Sequence, residues 1–218
     1  MKHPVVALLA SWLIGSIPWA YLAGRLLKGV DLRTYGSGNL GTTNVLRLLG
    51  APAAIVVYLL DAAKGFVPAL LFPALFGFAP RGGWAIACGL VAILGHVKPV
   101  FLGFKGGGKG VATASGVFFA LTPVATFACL VGFLTLLATT RMMSMASLTG
   151  AAILPIGVAL THGVNSLIFV VSLGVASFVY WTHRANIGRL RRGEEPKLNF
   201  RRSKDSDTGD GLSLQGRA

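Results

Sequence analysis

Long apolar segments separated by short polar loops make up most of this chain. Residues 4–27, 51–77 and 84–102 form three such segments, and each is close to the ~20 residues that a helix needs to cross a hydrocarbon core of about 30 Å. Two further apolar segments, 146–161 and 165–181, lie nearer the C-terminus. The pattern predicts an all-α integral membrane protein whose helices span the bilayer.

The apolar stretch between residues 110 and 140 is too long for one membrane span. As a single helix rising about 1.5 Å per residue it would be about 45 Å long, well beyond the hydrocarbon core. The sequence Leu121-Thr122-Pro123 offers a break, since proline opens a helix at little cost. We therefore predict two short helices around this break and seven transmembrane helices in all.

The basic residues support that count and set the orientation. With seven helices, the N-terminus outside and the C-terminus cytoplasmic, 17 of the 20 Lys and Arg residues fall on the cytoplasmic side, as the positive-inside rule requires. Six helices would send Arg141 and the basic C-terminal tail outside. A cleaved signal peptide is the alternative for the first segment, but Arg25 and Lys28 behind it favour a retained helix.

Composition excludes an ordinary soluble domain. Of the 218 residues, 54% are hydrophobic and only 12% are charged. A net charge of +13 would suggest nucleic acid in a soluble protein, but these basic residues lie between and after apolar segments. Anionic headgroups or substrates explain them better, so no nucleic-acid partner is expected. The seven acids and four histidines show no metal-ligand spacing, and we expect neither metal nor cofactor.

The first candidate site is the loop GSGNLGTTNVLR, residues 36–47. Its glycines allow positive φ and let backbone N–H groups turn toward a bound anion. Further hydroxyl and amide groups come from Ser37, Asn39, Thr42, Thr43 and Asn44, and Arg47 would add a bidentate fork for phosphate. A tight turn that caps the next helix is the alternative interpretation.

Two more cationic patches follow along the chain. In the first, GFKGGGKG at residues 103–110, two lysines flank three glycines. The second, HRANIGRLRRGEEPK, begins at residue 183. His183 and Asn186 share one helical face there, although such a basic helix often does no more than anchor to anionic lipid. We expect one membrane-embedded domain over residues 1–199 with these patches on its cytoplasmic face, and a disordered tail over residues 200–218.

One charged pair is expected inside the membrane. Asp61 is the sole acid within a predicted span, and Lys64 lies one turn along, so an ion pair that tethers helices is predicted. A proton relay is the alternative. His96, at the end of the third apolar segment, is expected to be a polar packing residue.

The three patches, in this order, resemble the PlsY-type glycerol-3-phosphate acyltransferases, membrane enzymes that use acyl phosphate and begin bacterial phospholipid synthesis. GSGNLGTTNVLR, GHVKPVFLGFKGGGKGVAT and HRANIGRLRRGEEPK are similar to the family's three motifs, and DAAKG and RMMSMAS match as well. The resemblance covers nearly all of residues 1–197. Two positions depart from it, because three glycines rather than two separate Lys105 from Lys109, and Lys98 stands where an aromatic residue is common.

The resemblance implies transfer of a fatty acyl group from acyl phosphate to the sn-1 hydroxyl of glycerol 3-phosphate in the bacterial inner membrane, giving lysophosphatidic acid and phosphate. Membrane lipid and the upstream enzyme that makes acyl phosphate are the other partners it suggests. It assigns catalysis to Ser37, Asn39, Lys109 and His183. It assigns acyl phosphate binding to Ser37, Gly38, Asn39, Gly41, Thr43, Gly107 and Gly108, and glycerol 3-phosphate binding to Arg47, Lys109, Ser144, His183 and Asn186. Glu195 would have a structural role, as would Asp61 and Lys64 through the ion pair predicted above.

The chemical step and the class of protein leave alternatives open. The substrate's own phosphate as proton acceptor, His183 as general base and Ser37 as covalent acyl carrier are rival routes. A transporter of organic phosphate esters is the alternative function, since glycine-rich loops at helix ends also build anion pathways. A transporter should show an internal repeat, however, and the first glycine-rich loop is not echoed in the second half of the chain.

Overall fold

The computed structural model describes residues 3–80 and 82–198, and the regular structure of these residues is helical throughout. The expected tail over residues 200–218 lies outside the described residues. The helices are α1 (Pro4–Gly15), α2 (Trp19–Lys28), α3 (Thr42–Leu49), α4 (Ala51–Leu75), α5 (Gly83–Val97), α6 (Val111–Leu121), α7 (Pro123–Thr140), α8 (Met143–His162), α9 (Leu167–Thr182) and α10 (Arg184–Arg191). The apolar pattern thus predicted the all-α class correctly.

Five segments among the described residues are long and apolar enough to cross a membrane: Pro4–Lys28, Ala51–Leu75, Gly83–Leu102, Pro123–Thr140 and Met143–His162. A sixth span results if α9 and α10, which meet at a 61° bend, are taken together. The apolar helix α6 has only 11 residues, or about 16 Å of helix. The structure therefore gives five or six candidate spans, and the count of seven and the orientation stay predictions.

Proline sets the breaks in two of these segments. Helix α6 ends at Leu121, and α7 begins at Pro123, so the break predicted from the sequence is present. The second helix has 18 residues and is not the short helix expected, because the apolar stretch continues without a breaker to Thr140. Pro18 likewise divides the first apolar segment into α1 and α2.

Helix α3 was not predicted, since residues 29–50 read as a polar loop. Gly41 precedes this helix in an extended conformation, and Gly50 follows it with φ 82°. The buried Val45 packs with Ala54 and Val57 of α4. One buried apolar position in eight residues is too weak a pattern to distinguish a helix from a loop in the sequence. In the folded chain it is enough to stabilise the helix, because α4 supplies a surface on which it packs.

Glycines bring α4 and α6 into close contact. A Cβ added at Gly65 would clash with the carbonyl oxygen of Thr113, and one added at Gly116 would clash with that of Ala62. Small residues of this kind let membrane helices approach backbone to backbone. The contact fixes α6 against the long helix α4, and so fixes the start of α6, where the second glycine loop ends.

Candidate active site

Lys109 joins the second patch to the third. Its Nζ donates a hydrogen bond to Asn186 Oδ1 at the start of α10. Asn186 Nδ2 in turn donates to Glu195 Oε1 at 2.6 Å, and Arg189 Nε donates to Glu195 Oε2 at 2.8 Å. Asn186 and Glu195 are buried. A continuous chain of hydrogen bonds therefore runs from the end of the glycine loop to the segment after α10, with the carboxylate between two cations.

The site lowers the pKa of Lys109. Burial lowers this pKa to about 8; the Glu195 carboxylate opposes the change, and the positive charges of Arg189 and Arg47 add to it. Lys109 is thus mostly protonated at neutral pH but loses its charge as the pH rises through about 8. Because Arg47 acts on Lys109, the first patch lies within electrostatic reach of the second.

Glu195 stays ionised although it is buried. Burial raises its pKa, but the Ser144 hydroxyl, the Asn186 amide and the Arg189 guanidinium outweigh burial and hold the pKa below its usual value. Ser144 is buried too, and its Oγ lies near this carboxylate without a regular hydrogen bond to any described residue. Because a hydroxyl has one O–H, Ser144 donates either to Glu195 or to another partner, but not to both at once.

His183 is neutral and has a defined tautomer. Its Nδ1 lies 2.8 Å from the carbonyl oxygen of Val179. Because a carbonyl only accepts, Nδ1 carries the proton, and Nε2 is left with a lone pair. Burial and the nearby charge of Lys109 lower the pKa of His183 to about 4. A neutral imidazole with a free Nε2 accepts a hydrogen bond from a hydroxyl, and it is a poor partner for a phosphate dianion.

Asn44 holds the first glycine loop in shape. Its Nδ2 donates to the carbonyl oxygens of Leu32 at 3.1 Å and Tyr35 at 2.9 Å, and its Oδ1 accepts from the Ser37 N–H at 3.3 Å. Gly36 has φ 58°, and a Cβ there would clash with Asn44 Oδ1. Asn44 is 1% exposed. The sequence grouped it with the anion donors, but its hydrogen-bonding groups are used within the loop.

The start of α3 supplies amide donors that the loop does not use itself. The N–H groups of Ser37 and Gly38 are already used, the latter in a bond of 3.0 Å to the Tyr35 carbonyl oxygen. The first N–H groups of a helix have no acceptor within it, and the helix dipole makes that end positive. The amides of Thr42 and Thr43 are therefore the donors best placed for an anion.

The second glycine loop packs against the end of α5 and against the first loop. The Gly108 N–H donates to the His96 carbonyl oxygen at 3.2 Å. A Cβ at Gly108 would clash with the His96 ring and lie 2.9 Å from the Leu40 carbonyl oxygen, and one at Gly107 would clash with the Val97 carbonyl oxygen. These two glycines thus permit close backbone contact, and the Gly108 amide is not free for an anion.

Five of the residues singled out from the sequence form one cluster: Lys109, Ser144, His183, Asn186 and Glu195. The first loop, which carries Ser37, Gly38, Asn39, Gly41 and Thr43, meets the second through Leu40 and Gly108. Asp61 and Lys64 lie apart within α4, with Lys64 Nζ 2.8 Å from Asp61 Oδ1. The exposed Lys98 and Lys105 have no part in the cluster.

Sequence reasoning missed the role of Arg189. This residue lies three positions after Asn186 on α10, so the same helical spacing that linked His183 with Asn186 indicates that both reach one partner. That partner, Glu195, lies beyond the helix on a segment whose Leu198 N–H donates to the Arg141 carbonyl oxygen at 2.8 Å. No local pattern predicts this return of the chain.

Comparisons with known proteins show the family of this chain. The family model described as glycerol-3-phosphate acyltransferase matches residues 5–193. The glycerol-3-phosphate acyltransferase of Anaeromyxobacter dehalogenans (strain 2CP-C) is 46% identical over 194 residues, which cover 88% of this chain and 96% of that protein. A relative of the same name from Geobacter sulfurreducens is 44% identical over 198 residues, covering 91% and 99%.

Two solved structures share the fold of this chain. The crystal structure of PlsY (YgiH), an integral membrane glycerol 3-phosphate acyltransferase, in its glycerol 3-phosphate form has a TM-score of 0.82 at 36% identity and covers 90% of this chain and 96% of that chain. The lysophosphatidic acid form has a TM-score of 0.79, also at 36% identity, covering 90% and 95%. The motif order, the helical architecture and these matches agree, and the chain is a multi-pass membrane protein that belongs to the glycerol-3-phosphate acyltransferase family.

Proposed function

We propose that this chain transfers a fatty acyl group from acyl phosphate to the sn-1 hydroxyl of glycerol 3-phosphate and releases lysophosphatidic acid and phosphate. The observation that carries the proposal is the cluster around Lys109, in which a cation, an oriented amide and a neutral histidine meet beside two glycine loops. Acyl transfer to glycerol 3-phosphate is the activity for which the relatives are named. Acyl phosphate as donor rests on the resemblance of the three motifs.

Glycerol 3-phosphate would bind at the Lys109 cluster. Lys109 and Arg47 supply positive charge for its phosphate, and the Ser144 hydroxyl would supply a further donor by turning from Glu195 to the substrate. Asn186 is oriented by Glu195, so its amide is fixed before substrate arrives. Since Nε2 of His183 accepts, it would hold a hydroxyl of the substrate rather than its phosphate.

Acyl phosphate would bind at the first glycine loop. The start of α3 offers the amides of Thr42 and Thr43 together with the positive end of the helix dipole. Exposed Ser37 and half-buried Asn39 add side-chain donors beside them. Gly38 and Gly41 keep this surface free of side chains, while the Thr43 hydroxyl adds a donor. The acyl chain would enter between helices from the bilayer.

The reaction needs little acid–base catalysis. The C1 oxygen attacks the acyl carbonyl carbon, the bond from that carbon to the bridging oxygen breaks, and phosphate leaves with the bridging oxygen. A mixed anhydride is already activated, so positioning and charge stabilisation supply most of the catalysis. The hydroxyl proton would pass to the substrate's own phosphate, whose second pKa is about 6 by analogy with phosphoserine. A His183 pKa of about 4 disfavours that residue as the base.

The proposed topology places the site at the cytoplasmic face of the bacterial inner membrane. Seven spans with the N-terminus outside and the C-terminus inside, counting α6 and α9 as short spans, put both glycine loops and α10 on one side. Both substrates are made in the cytoplasm under this proposal, and the enzyme that makes acyl phosphate would be the upstream partner. The anionic lipid surface would contact the exposed Arg184, Arg191 and Arg192.

A donor panel tests the proposal. The detergent-purified protein is supplied with labelled glycerol 3-phosphate and one of three donors, acyl phosphate, acyl-CoA or acyl carrier protein thioester, and lysophosphatidate is measured. Product with acyl phosphate alone is the expected result. Product with a thioester alone would refute the donor assignment. If no donor gives product and glycerol 3-phosphate moves across the membrane of reconstituted vesicles, the protein is a transporter and the proposed enzymatic function is refuted.

A further inference from the structure

One carboxylate, one lysine and one histidine lie buried together in the described membrane-spanning part of the fold, and they have no place in the proposed chemistry. Asp61 is 1% exposed, Lys64 4% and His96 6%. Lys64 Nζ lies 2.8 Å from Asp61 Oδ1, and His96 Nδ1 lies 3.7 Å from the same oxygen. Ionisable groups are costly inside a membrane, so a cluster of three indicates a task beyond filling space.

The cluster is attached to two other parts of the fold. Lys64 Nζ donates at 2.8 Å to the carbonyl oxygen of Ile17, which lies in the break between α1 and α2. At the other end the His96 ring lies directly against Gly108, the residue before Lys109, with no space for a Cβ between them. The His96 carbonyl oxygen accepts from the Gly108 N–H. The cluster therefore connects the α1–α2 break with the loop that carries Lys109.

A small cavity lies within the cluster. Its volume is about 10 Å³, and Ser16, Asp61, His96 and Gly108 are among the residues that line it. Ser16 Oγ is buried and makes no hydrogen bond to the described residues, and the buried Asp61 Oδ1 has the ion-pair contact with Lys64 Nζ at 2.8 Å as its close polar contact. A volume of this size is about what one water molecule requires, and the two oxygens and their polar neighbours supply its partners.

We propose that His96, held by Asp61 and Lys64, is a positioning residue that fixes Gly108 and thereby places Lys109 for the substrate phosphate. One water bridging Ser16 and Asp61 completes the support. His96 does not touch substrate under this proposal. It determines where Lys109 lies relative to Asn186, and so it affects the rate through the geometry of the site.

A double-mutant cycle tests the contact. Gly108→Ala adds a Cβ that would meet Nε2 and Cε1 of His96. His96→Asn removes those two atoms but keeps an N–H donor close to the position of Nδ1, where it faces Asp61. We expect Gly108→Ala to lower kcat/KM for glycerol 3-phosphate by about 100-fold, and the double variant to recover about tenfold of that loss. His96→Asn alone should cost less than Gly108→Ala.

Gly107→Ala is the matched control, because the added Cβ would meet the backbone oxygen of Val97, which no side-chain change removes. Combining it with His96→Asn should bring no recovery. Equal recovery at both positions, or none at Gly108, overturns the proposal. A purely structural role would lower Tm while leaving kcat and KM per folded molecule unchanged.

The activity readout rests on the proposed function, but a failure of the proposed function and a failure of the proposed role of His96 give different results. Wild-type protein that makes no lysophosphatidate refutes the proposed function, and the same cycle read on Tm then still decides whether His96 and Gly108 are coupled. An active wild type whose variants combine additively in both kcat/KM and Tm refutes only the positioning of Lys109.

Discussion

The charge of Glu195 should control the alkaline limit of activity through Lys109. Under the proposed function Lys109 must be protonated to bind phosphate, and its pKa is about 8, so activity should be present below that pH and fall as the pH rises through it. Glu195→Gln keeps the shape of the side chain and an oxygen that accepts from Asn186, but it removes the negative charge that supports the protonated lysine. The alkaline limit should therefore move to lower pH.

The size of the shift follows from the distance between the charges. Two hydrogen bonds and one amide group connect Lys109 Nζ with the Glu195 carboxylate, so the charges lie within roughly 7 Å. At that separation the attraction is about 2.4 kcal/mol at an effective dielectric constant near 20 and about 0.6 kcal/mol in water. With about 1.4 kcal/mol per pKa unit, the expected shift is on the order of one unit.

The assay is kcat/KM for glycerol 3-phosphate between about pH 6 and 9.5, corrected for spontaneous hydrolysis of acyl phosphate at each pH. The wild-type limit near pH 8 should fall to about 7 in Glu195→Gln. Lys109→Arg provides the control, since a guanidinium stays charged throughout and should abolish the limit even at reduced activity. An unchanged limit in Glu195→Gln, with the fold intact by Tm, would refute the coupling.

Three further predictions address the surroundings of the site. Asn44→Asp should lower kcat/KM for acyl phosphate at least about 100-fold in steady-state assays, because a carboxylate cannot donate to the two carbonyls that Asn44 now holds; activity within a few fold of wild type would contradict this role. Gly116→Ala should destabilise the protein by about 1–3 kcal/mol in thermal unfolding through its clash with α4, while Gly174→Ala, which meets open space, should be neutral or slightly stabilising. Ser16→Ala should lower Tm if a water bridges Ser16 to Asp61, whereas an unchanged or higher Tm would mean that the hydroxyl is unpaired.

The sequence predicted most of the helices because their apolar stretches are long. The break at residues 121–123 was predictable from the sequence because proline acts locally, through its missing N–H and fixed φ. Helix α3 was not predictable from the sequence, since eight residues carry too little periodicity and the helix is stabilised by packing on α4. Element type was thus predictable wherever the signal lay within one segment.

The site was only partly predictable for a related reason. Residue types and motif order indicated an anion site, and the structure brings Lys109, His183 and Asn186 close together. The tautomer of His183 and the use of Asn44 inside its own loop depend on carbonyl groups whose positions are set by the folded backbone. The pattern of side chains in the sequence does not predict where such backbone acceptors lie.

The central claim is direct transfer from acyl phosphate to glycerol 3-phosphate at one site, and the release of inorganic phosphate tests it most directly. Purified protein is mixed with acyl phosphate, with and without glycerol 3-phosphate, and phosphate and lysophosphatidate are measured from the first turnover onward. The account predicts no phosphate burst without glycerol 3-phosphate and one phosphate per lysophosphatidate with it. A burst equal to the enzyme concentration in its absence would reveal a covalent acyl-enzyme, with Ser37 the first candidate, and would contradict direct transfer.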